Sequence, residues 1–243
     1  MNRYLPSALF TALMISSTLT TAGQIATSFT QAKNNLYKGV FDNQGATFYT
    51  GCSWNKKKVD LASCGLENSF PTKEHKRALR VEAEHVIPAS WFYKQNGTDR
   101  KCYLDAKQNK ASPREYCQEN DTNYSQAHND LVNLRVAVGA INGQRSNKPF
   151  AESLSGDNKK TYRGNGKTMV ITSRIVIPDT SIRGDIARIA FYMRDTYGVN
   201  YAKRQLELFK QWDQEDPVSD EERSLNKRII KIQGHGNPYV ENK

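Results

Sequence analysis

Glu84 and His85 stand side by side in this chain and carry complementary chemistry. A carboxylate oxygen is a hard donor for a divalent cation, and a neutral imidazole can take a proton from water. They lie in residues 80–92, R-V-E-A-E-H-V-I-P-A-S-W-F. As an isolated dipeptide such a pair is more often an ordinary solvated couple, so its surroundings have to decide. A second stretch, residues 127–147, reads A-H-N-D-L-V-N-L-R-V-A-V-G-A-I-N-G-Q-R-S-N. Asn142 and Arg145 are three apart and share a helix face. That face offers an amide oxygen to a metal and a guanidinium to a phosphate, or is simply a polar helix surface.

The elements that must hold these residues follow from the pattern around them. Val81, Val86 and Ile87 with Pro88 behind them predict a strand that ends in a loop. A strand end lets two neighbouring side chains meet over one cleft, whereas in mid-strand they point to opposite faces. From about Val136 the second stretch predicts a helix with Val138 and Ile141 inward. Gly139 and Gly143 are four apart and each weakens a helix by about 1 kcal/mol. Keeping both implies that another backbone or a ligand comes close.

The chain has 243 residues, 37% of them hydrophobic, enough for one domain with a core. Lys and Arg number 35 against 25 Asp and Glu, a net charge of +10, and such a basic surface suits a polyanion, nucleic acid or an anionic membrane face. Arg3, the apolar run 8–15 and the small residues up to Ala22 predict a secretory signal peptide over residues 1–22. Removing that leader, whose one charged residue is Arg3, lowers +10 to +9. No segment has the roughly 20 apolar residues of a membrane span. The mature chain, 23–243, is therefore expected to be soluble and exported, where disulfides form. Cys52, Cys64, Cys102 and Cys117 allow three pairings. The sequence-local one, Cys52–Cys64 with Cys102–Cys117, is preferred over zinc binding, because no C-x-x-C is present.

Elsewhere the pattern predicts a short helix over 28–37, a strand over 45–51, a basic turn at Asn55-Lys56-Lys57-Lys58 and a loop over 67–76 containing a solvated His75. Residues 94–123 form a polar excursion holding Arg100, Lys101 and two of the cysteines. Strand material follows over 167–177. Ile182, Ile186, Ile189 and Met193 mark a helix stopped by Gly198, and Leu206, Phe209 and Trp212 mark a second. Ser219 to Glu222 is a capping box for a third, with Leu225, Ile229 and Ile232 inward and Gly234 beyond its end. These stripes are core, and His235 is a structural or loop histidine.

The motif E-A-E-H-V-I-P-A, followed by D-L-V-N-L-R-V-A-V-G-A-I-N-G-Q-R-S-N, resembles the bacterial endonuclease I family, and residues 233–240 resemble its Q-G-x-x-N-P-Y-V ending. The resemblance covers nearly all of the mature chain. It implies an α+β fold, mainly helical, in a single domain with an embedded ββα-metal (His-Me finger) motif and a few short strands. It implies a periplasmic or secreted, monomeric, nonspecific endonuclease that cuts DNA, with RNA accepted by many members, to 5′-phosphate products. By that resemblance His85 is the general base. Glu84 and Asn142 hold Mg²⁺, with Mn²⁺ or Ca²⁺ as other ions for such oxygen donors. Arg100 contacts the cleaved phosphate, Asn133 supports His85, and Arg145 matches the arginine of N-G-x-R-S-N. Two departures stand out. Val132-Asn133-Leu134 replaces the H-N-L common in the family, and His128 occupies a position that is acidic in some members, near Arg100. A noncatalytic exported DNA-binding protein would explain the charge but not Glu84, His85 and Asn142 together. A zinc hydrolase built on His85 and His128 lacks H-E-x-x-H or a similar paired-His spacing.

Overall fold

In the computed structural model, residues 23–93 and 97–242 are described, residues 97–100 by their backbone alone. The signal peptide expected over 1–22 lies outside the described residues. Ser28 caps helix α1 (Phe29–Asn34) by accepting a hydrogen bond from the Gln31 N–H, and α1 widens into a π-helical turn, Asn35–Val40. Strands β1 (Gln44–Ala46), β2 (Ser53–Asn55) and β3 (Lys58–Val59) form a small antiparallel sheet. Lys56 and Lys57, both at positive φ, make its β2–β3 turn, as the basic run predicts. The strand expected over 45–51 is shorter, because the chain turns after Ala46 and the Thr47 hydroxyl accepts from the Cys52 N–H.

Helix α2 (Thr72–Ala78) replaces the loop expected over 67–76. Its sequence is polar because most of it faces solvent, and Pro71 sits at its start, where a missing N–H costs nothing. His75 is half-buried on this helix. Next come β4 (Val81–His85), α3 (Ala89–Phe92), α4 (Gly97–Gln108), α5 (Pro113–Asn120) and α6 (Thr122–Asn129). The polar excursion is thus two helices and the start of a third. Cys102–Cys117 joins α4 to α5, while Cys52–Cys64 ties β2 to the turn after β3. Both are the sequence-local pairs, and the described residues contain no free cysteine.

Strand β5 (Leu134–Val138) pairs antiparallel with β4, His85 opposite Leu134 and Val81 opposite Val138. Helix α7 (Gly139–Arg145) follows at once. The sequence places a helix from about Val136, but the chain stays extended through Val138. All five β5 residues are buried, so the alternation that marks a half-exposed strand is missing. Strands β6 (Lys160–Gly164), β7 (Lys167–Ile171) and β8 (Val176–Ile177) make a third antiparallel sheet. Helices α8 (Arg183–Tyr197), α9 (Lys203–Glu215), α10 (Asp220–Gln233) and α11 (Pro238–Glu241) complete the chain.

The C-terminal helices follow their stripes. Gly198 and Gly234 take left-handed conformations at the ends of α8 and α10, and Ser219 caps α10 at the Glu222 N–H. Ile186, Ile189, Met193, Phe209 and Trp212 are fully buried among them, Leu225 and Ile232 only half so. The buried Arg188 bonds both oxygens of Glu222 and pairs with Asp185 and Asp213, joining α8, α9 and α10. The architecture is mixed α+β and mainly helical. No helix among the described residues is long and apolar enough to cross a membrane.

Candidate active site

The β4–β5 pair and α7 enclose one wall of a cleft of about 780 Å³, lined among others by Phe29, Glu82, Glu84, His85, Arg114 and Asn142. Glu84 and His85 are the last two residues of β4, which is where adjacent side chains can serve one cleft. Glu84 is 2% exposed. The Tyr49 hydroxyl donates to its Oε1 at 2.7 Å. The Arg145 Nε lies 3.3 Å from the same oxygen as an ion pair without hydrogen-bond geometry. Burial raises the carboxyl pKa, while Arg145 and the Tyr49 bond pull it back. Oε2 has no hydrogen bond or ion pair among the described residues.

His85 is buried and stacks on Phe29 at 5.2 Å between ring centres. Its Nε2 lies 2.8 Å from the His128 carbonyl. A carbonyl only accepts, so Nε2 carries the proton and Nδ1 keeps its lone pair. Burial first, then His128 and Arg114, push the imidazole pKa well below its usual value. The ring is therefore neutral at neutral pH, the state a base requires. Asn133 fixes the loop behind it: its side chain accepts from the Ile87 N–H at 2.8 Å and donates to the Ile87 carbonyl at 3.0 Å. Asn133 thus braces the backbone two residues beyond His85.

Arg145 is 1% exposed. Its Nη1 donates to the His85 carbonyl at 3.0 Å and its Nη2 to the Val86 carbonyl at 2.5 Å, and its guanidinium lies over Phe150. Both terminal nitrogens are used up inside the fold, and the buried Nε faces Glu84. Arg145 therefore supports the strand end, and the alternative expectation of a guanidinium offered to phosphate has no free donor surface behind it.

Asn142 lies one turn into α7, half-buried at the cleft. Its Nδ2 donates to Glu82 Oε2 at 3.1 Å, which leaves Oδ1 with no partner among the described residues. Glu82 is bonded in turn by Arg77, at 2.9 and 2.7 Å, and by Arg80. The two glycines make this possible. A Cβ on Gly139 would sit 2.6 Å from the Arg77 carbonyl and 3.0 Å from that of Arg80, and one on Gly143 would overlap the Arg77 guanidinium. The close approach expected of the glycine pair is made by α2 and the residues leading into β4.

The two oxygen donors are of the chemical kind that magnesium takes. Glu84 Oε2 and Asn142 Oδ1 are both unengaged by protein and belong to residues lining one open cleft, and Mg²⁺ takes few protein oxygens and keeps waters. The four cysteines are joined in disulfides, and both ring nitrogens of His128 are engaged within the protein.

His128 is 1% exposed. It accepts from Arg114 Nε at 2.9 Å on Nε2, and its Nδ1 donates to Asn129 Oδ1 at 3.2 Å. Burial, with Arg114 adding, pushes its pKa down to about 4. The arginine that His128 meets is Arg114. Arg100 lies on α4, and its side chain is outside the described residues. Phe29, Tyr49, Glu82 and Arg114 escape the sequence reading. Glu82 alone had a signal, its i−2 spacing from Glu84 on one strand face.

Antiparallel strands feeding a short helix bring a buried neutral histidine and two unengaged oxygen donors to one cleft, groups of the kind that hydrolytic chemistry uses. The particular family comes from comparison. Residues 27–243 match the model of the Endonuclease I family, and this chain belongs to it. It is 32% identical to a periplasmic deoxyribonuclease of Aeromonas hydrophila, over 94% of this chain and 91% of that one. It is 34% identical to an extracellular deoxyribonuclease of the same species, over 89% and 90%. It is 35% identical to Endonuclease-1 of Buchnera aphidicola subsp. Baizongia pistaciae (strain Bp), over 96% and 93%.

Proposed function

We propose that this chain is an exported, divalent-cation-dependent endonuclease that hydrolyses phosphodiester bonds of DNA without sequence preference, leaving 5′-phosphates. The observation that carries the reading is His85: neutral, with Nε2–H fixed to the His128 carbonyl and Nδ1 free, next to Glu84 on one cleft. We read β4, β5 and α7 as a His-Me finger in a single monomeric domain, 23–243, released from the leader 1–22 into the periplasm or medium. The names of the Aeromonas relatives support that location and substrate.

In this mechanism His85 takes a proton from water as the water oxygen bonds phosphorus in line with the 3′ oxygen; the P–O3′ bond breaks, and the leaving 3′ oxygen takes a proton from solvent in the open cleft. Asn133 and Arg145 keep the imidazole in place by holding Ile87, Val86 and the backbone of His85 itself. Tyr49 and Arg145 orient Glu84 so that Oε2 remains for the ion. When bound by Glu84 and Asn142, Mg²⁺ offsets negative charge gathering on the phosphate oxygens. Arg100 neutralises the cleaved phosphate.

The test is plasmid nicking with and without EDTA, then with Mg²⁺, Mn²⁺ or Zn²⁺ restored, alongside DNA affinity in EDTA. His85→Ala should lose about 10²–10⁴-fold in rate while binding DNA normally. Glu84→Ala and Asn142→Ala should regain part of their activity at high Mg²⁺. A wild-type protein that binds DNA but never cuts it would make this a noncatalytic binding protein. A folded His85→Ala that nicks at the wild-type rate removes His85 as the base.

A further inference from the structure

The His85 ring is held from two sides. Its Nε2–H meets the His128 carbonyl, and the Phe29 ring stacks on its face. Both contacts lead back to residues 23–27, which run without regular structure from the end of α10 into α1. Residues 23–26 precede the stretch 27–243 that matches the family. The segment is pinned along its length. Gly23 lies backbone to backbone on Gly234, the left-handed residue that ends α10. A Cβ on Gly23 would sit 2.6 Å from both the Gly234 nitrogen and the Ile232 carbonyl oxygen, and one on Gly234 would meet the Gly23 carbonyl. The carbonyl of the buried Ala26 accepts from Asn129 Nδ2 at 3.0 Å. Gln31 Oε1 accepts from the Thr27 N–H and hydroxyl, both at 3.2 Å, and Ser28 starts α1. Phe29 follows at once, so holding Ala26 also holds the ring.

Asn129 joins the two contacts. It is 0% exposed and forms no part of the cleft lining. Its Oδ1 accepts from His128 Nδ1 at 3.2 Å, and its Nδ2 is spent on Ala26. One side chain thus ties the residue whose carbonyl takes the His85 proton to the segment that places Phe29. The end of α10 closes the circuit. Gln233 Oε1 accepts from the Leu131 N–H at 3.0 Å, and its Nε2 donates to Asp130 Oδ1 at 2.8 Å. Gln233 adjoins Gly234, on which Gly23 rests. A fully buried amide with both ends engaged has little freedom, and such a network fixes one arrangement of its neighbours. We infer that segment 23–27, acting through Asn129, positions the general base by keeping Phe29 and the His128 carbonyl in register on the two sides of His85. This rests on the nuclease reading for its chemistry but not for its geometry.

The experiment compares Asn129→Ala, Gly23→Val, the double variant and, as a control on the same segment, the exposed Gln24→Ala. Each protein is purified after export, with its N-terminus checked by mass and its melting temperature recorded. Valine at position 23 cannot rest on Gly234 without moving backbone. A misplacement of about 1 Å at a reacting group costs about 100-fold. With Mg²⁺ present, kcat for nicking should therefore fall about 10–100-fold in Asn129→Ala and about tenfold in Gly23→Val. KM and DNA affinity in EDTA should stay at wild-type values. The double variant should be no slower than Asn129→Ala, because both changes release the same segment. Gln24→Ala should match wild type. The His85 Nε2–H proton, identified in NMR spectra by its loss in His85→Ala, should exchange with solvent about tenfold faster in Asn129→Ala and Gly23→Val. Should Asn129→Ala fail to fold, Gly23→Val against Gln24→Ala carries the same comparison. Wild-type exchange in a folded Gly23→Val or Asn129→Ala overturns the inference, as does an unchanged kcat or losses that multiply in the double variant. If wild-type protein binds DNA but never cuts it, the nuclease reading fails, and the exchange measurement still decides whether the segment holds the ring.

Discussion

Arg145 offers the sharpest test of how the site is held together, because its sequence reading and its buried position predict different phenotypes. Its guanidinium bonds two consecutive carbonyls, those of His85 and Val86, and pairs with Glu84. A lysine in its place carries the charge but presents no planar fork, so at least one carbonyl loses its donor. A hydrogen bond from a charged group contributes about 1.5–3 kcal/mol, so Arg145→Lys should cost about 3 kcal/mol. Arg145→Met also strands the buried Glu84 charge, and removing one partner of a buried pair costs about 3–5 kcal/mol. At roughly 2–4 °C per kcal/mol for a domain of this size, Arg145→Lys should melt roughly 6–12 °C lower. The assays are thermal and urea unfolding, with DNA affinity in EDTA measured at a temperature where both proteins are folded. Affinity and its salt slope should stay at wild-type values, because the group faces no solvent. An Arg145→Lys protein that melts within 2 °C of wild type but binds DNA with a shallower salt slope would refute this reasoning and restore a phosphate contact.

Three further outcomes follow from the same geometry. Gly139→Ala should destabilise by about 1–3 kcal/mol despite alanine's better helix propensity, since its Cβ meets two backbone carbonyls; Gly143→Ala should cost less, because the half-exposed Arg77 side chain it meets can move. Urea titrations rank the two. Replacing Cys102 and Cys117 by alanine should cost about 3 kcal/mol for a loop of this length and should speed proteolysis between α4 and α5, read by limited digestion. His128 has a folded-state pKa of about 4 against an ordinary 6.5. The unfolded chain therefore takes up the proton first, and stability should fall as pH drops from 6.5 to 4 and level off below. The contribution is about 3 kcal/mol, and His128→Gln should remove that part of the acid sensitivity in urea titrations at pH 7, 5.5 and 4.5.

The sequence made legible what depends on local order. Pro88 after a β-branched run put Glu84 and His85 at a strand end, and the four-residue glycine spacing required a close neighbour. The C-terminal stripes with Gly198, Gly234 and Ser219 placed three helices, and both cysteine pairs formed locally. What stayed hidden depends on burial and on partners distant in the chain. The strand β5 is buried on both faces and so has no alternation to read, which is why a helix was expected from Val136. Helices α2, α4 and α5 are polar because one side of each meets water and their packing is narrow. Tyr49 reaches Glu84 across 35 positions, and Arg114 reaches His128 from another helix. Nothing in either residue's own neighbourhood marks it out. Arg145 was visible as a residue, but its letter does not tell a solvent-facing guanidinium from one folded onto two carbonyls.

The route between β4 and β5 bears on how the chain can be lengthened. Residues 86–133 leave the strand pair at His85 and return at Leu134, and among their contributions to the cleft are Arg114 near the start of α5 and His128 near the end of α6. Doubling the length of a flexible loop adds only about 0.6 kcal/mol to its closure cost. Chain length along this route is therefore nearly free, provided those two residues keep their places and Cys102–Cys117 keeps its grip. The mostly exposed turn at 109–112, inside the loop that the disulfide closes, is then an insertion point for a reporter or an affinity module, provided the graft leaves Arg114, two residues further on, in its place.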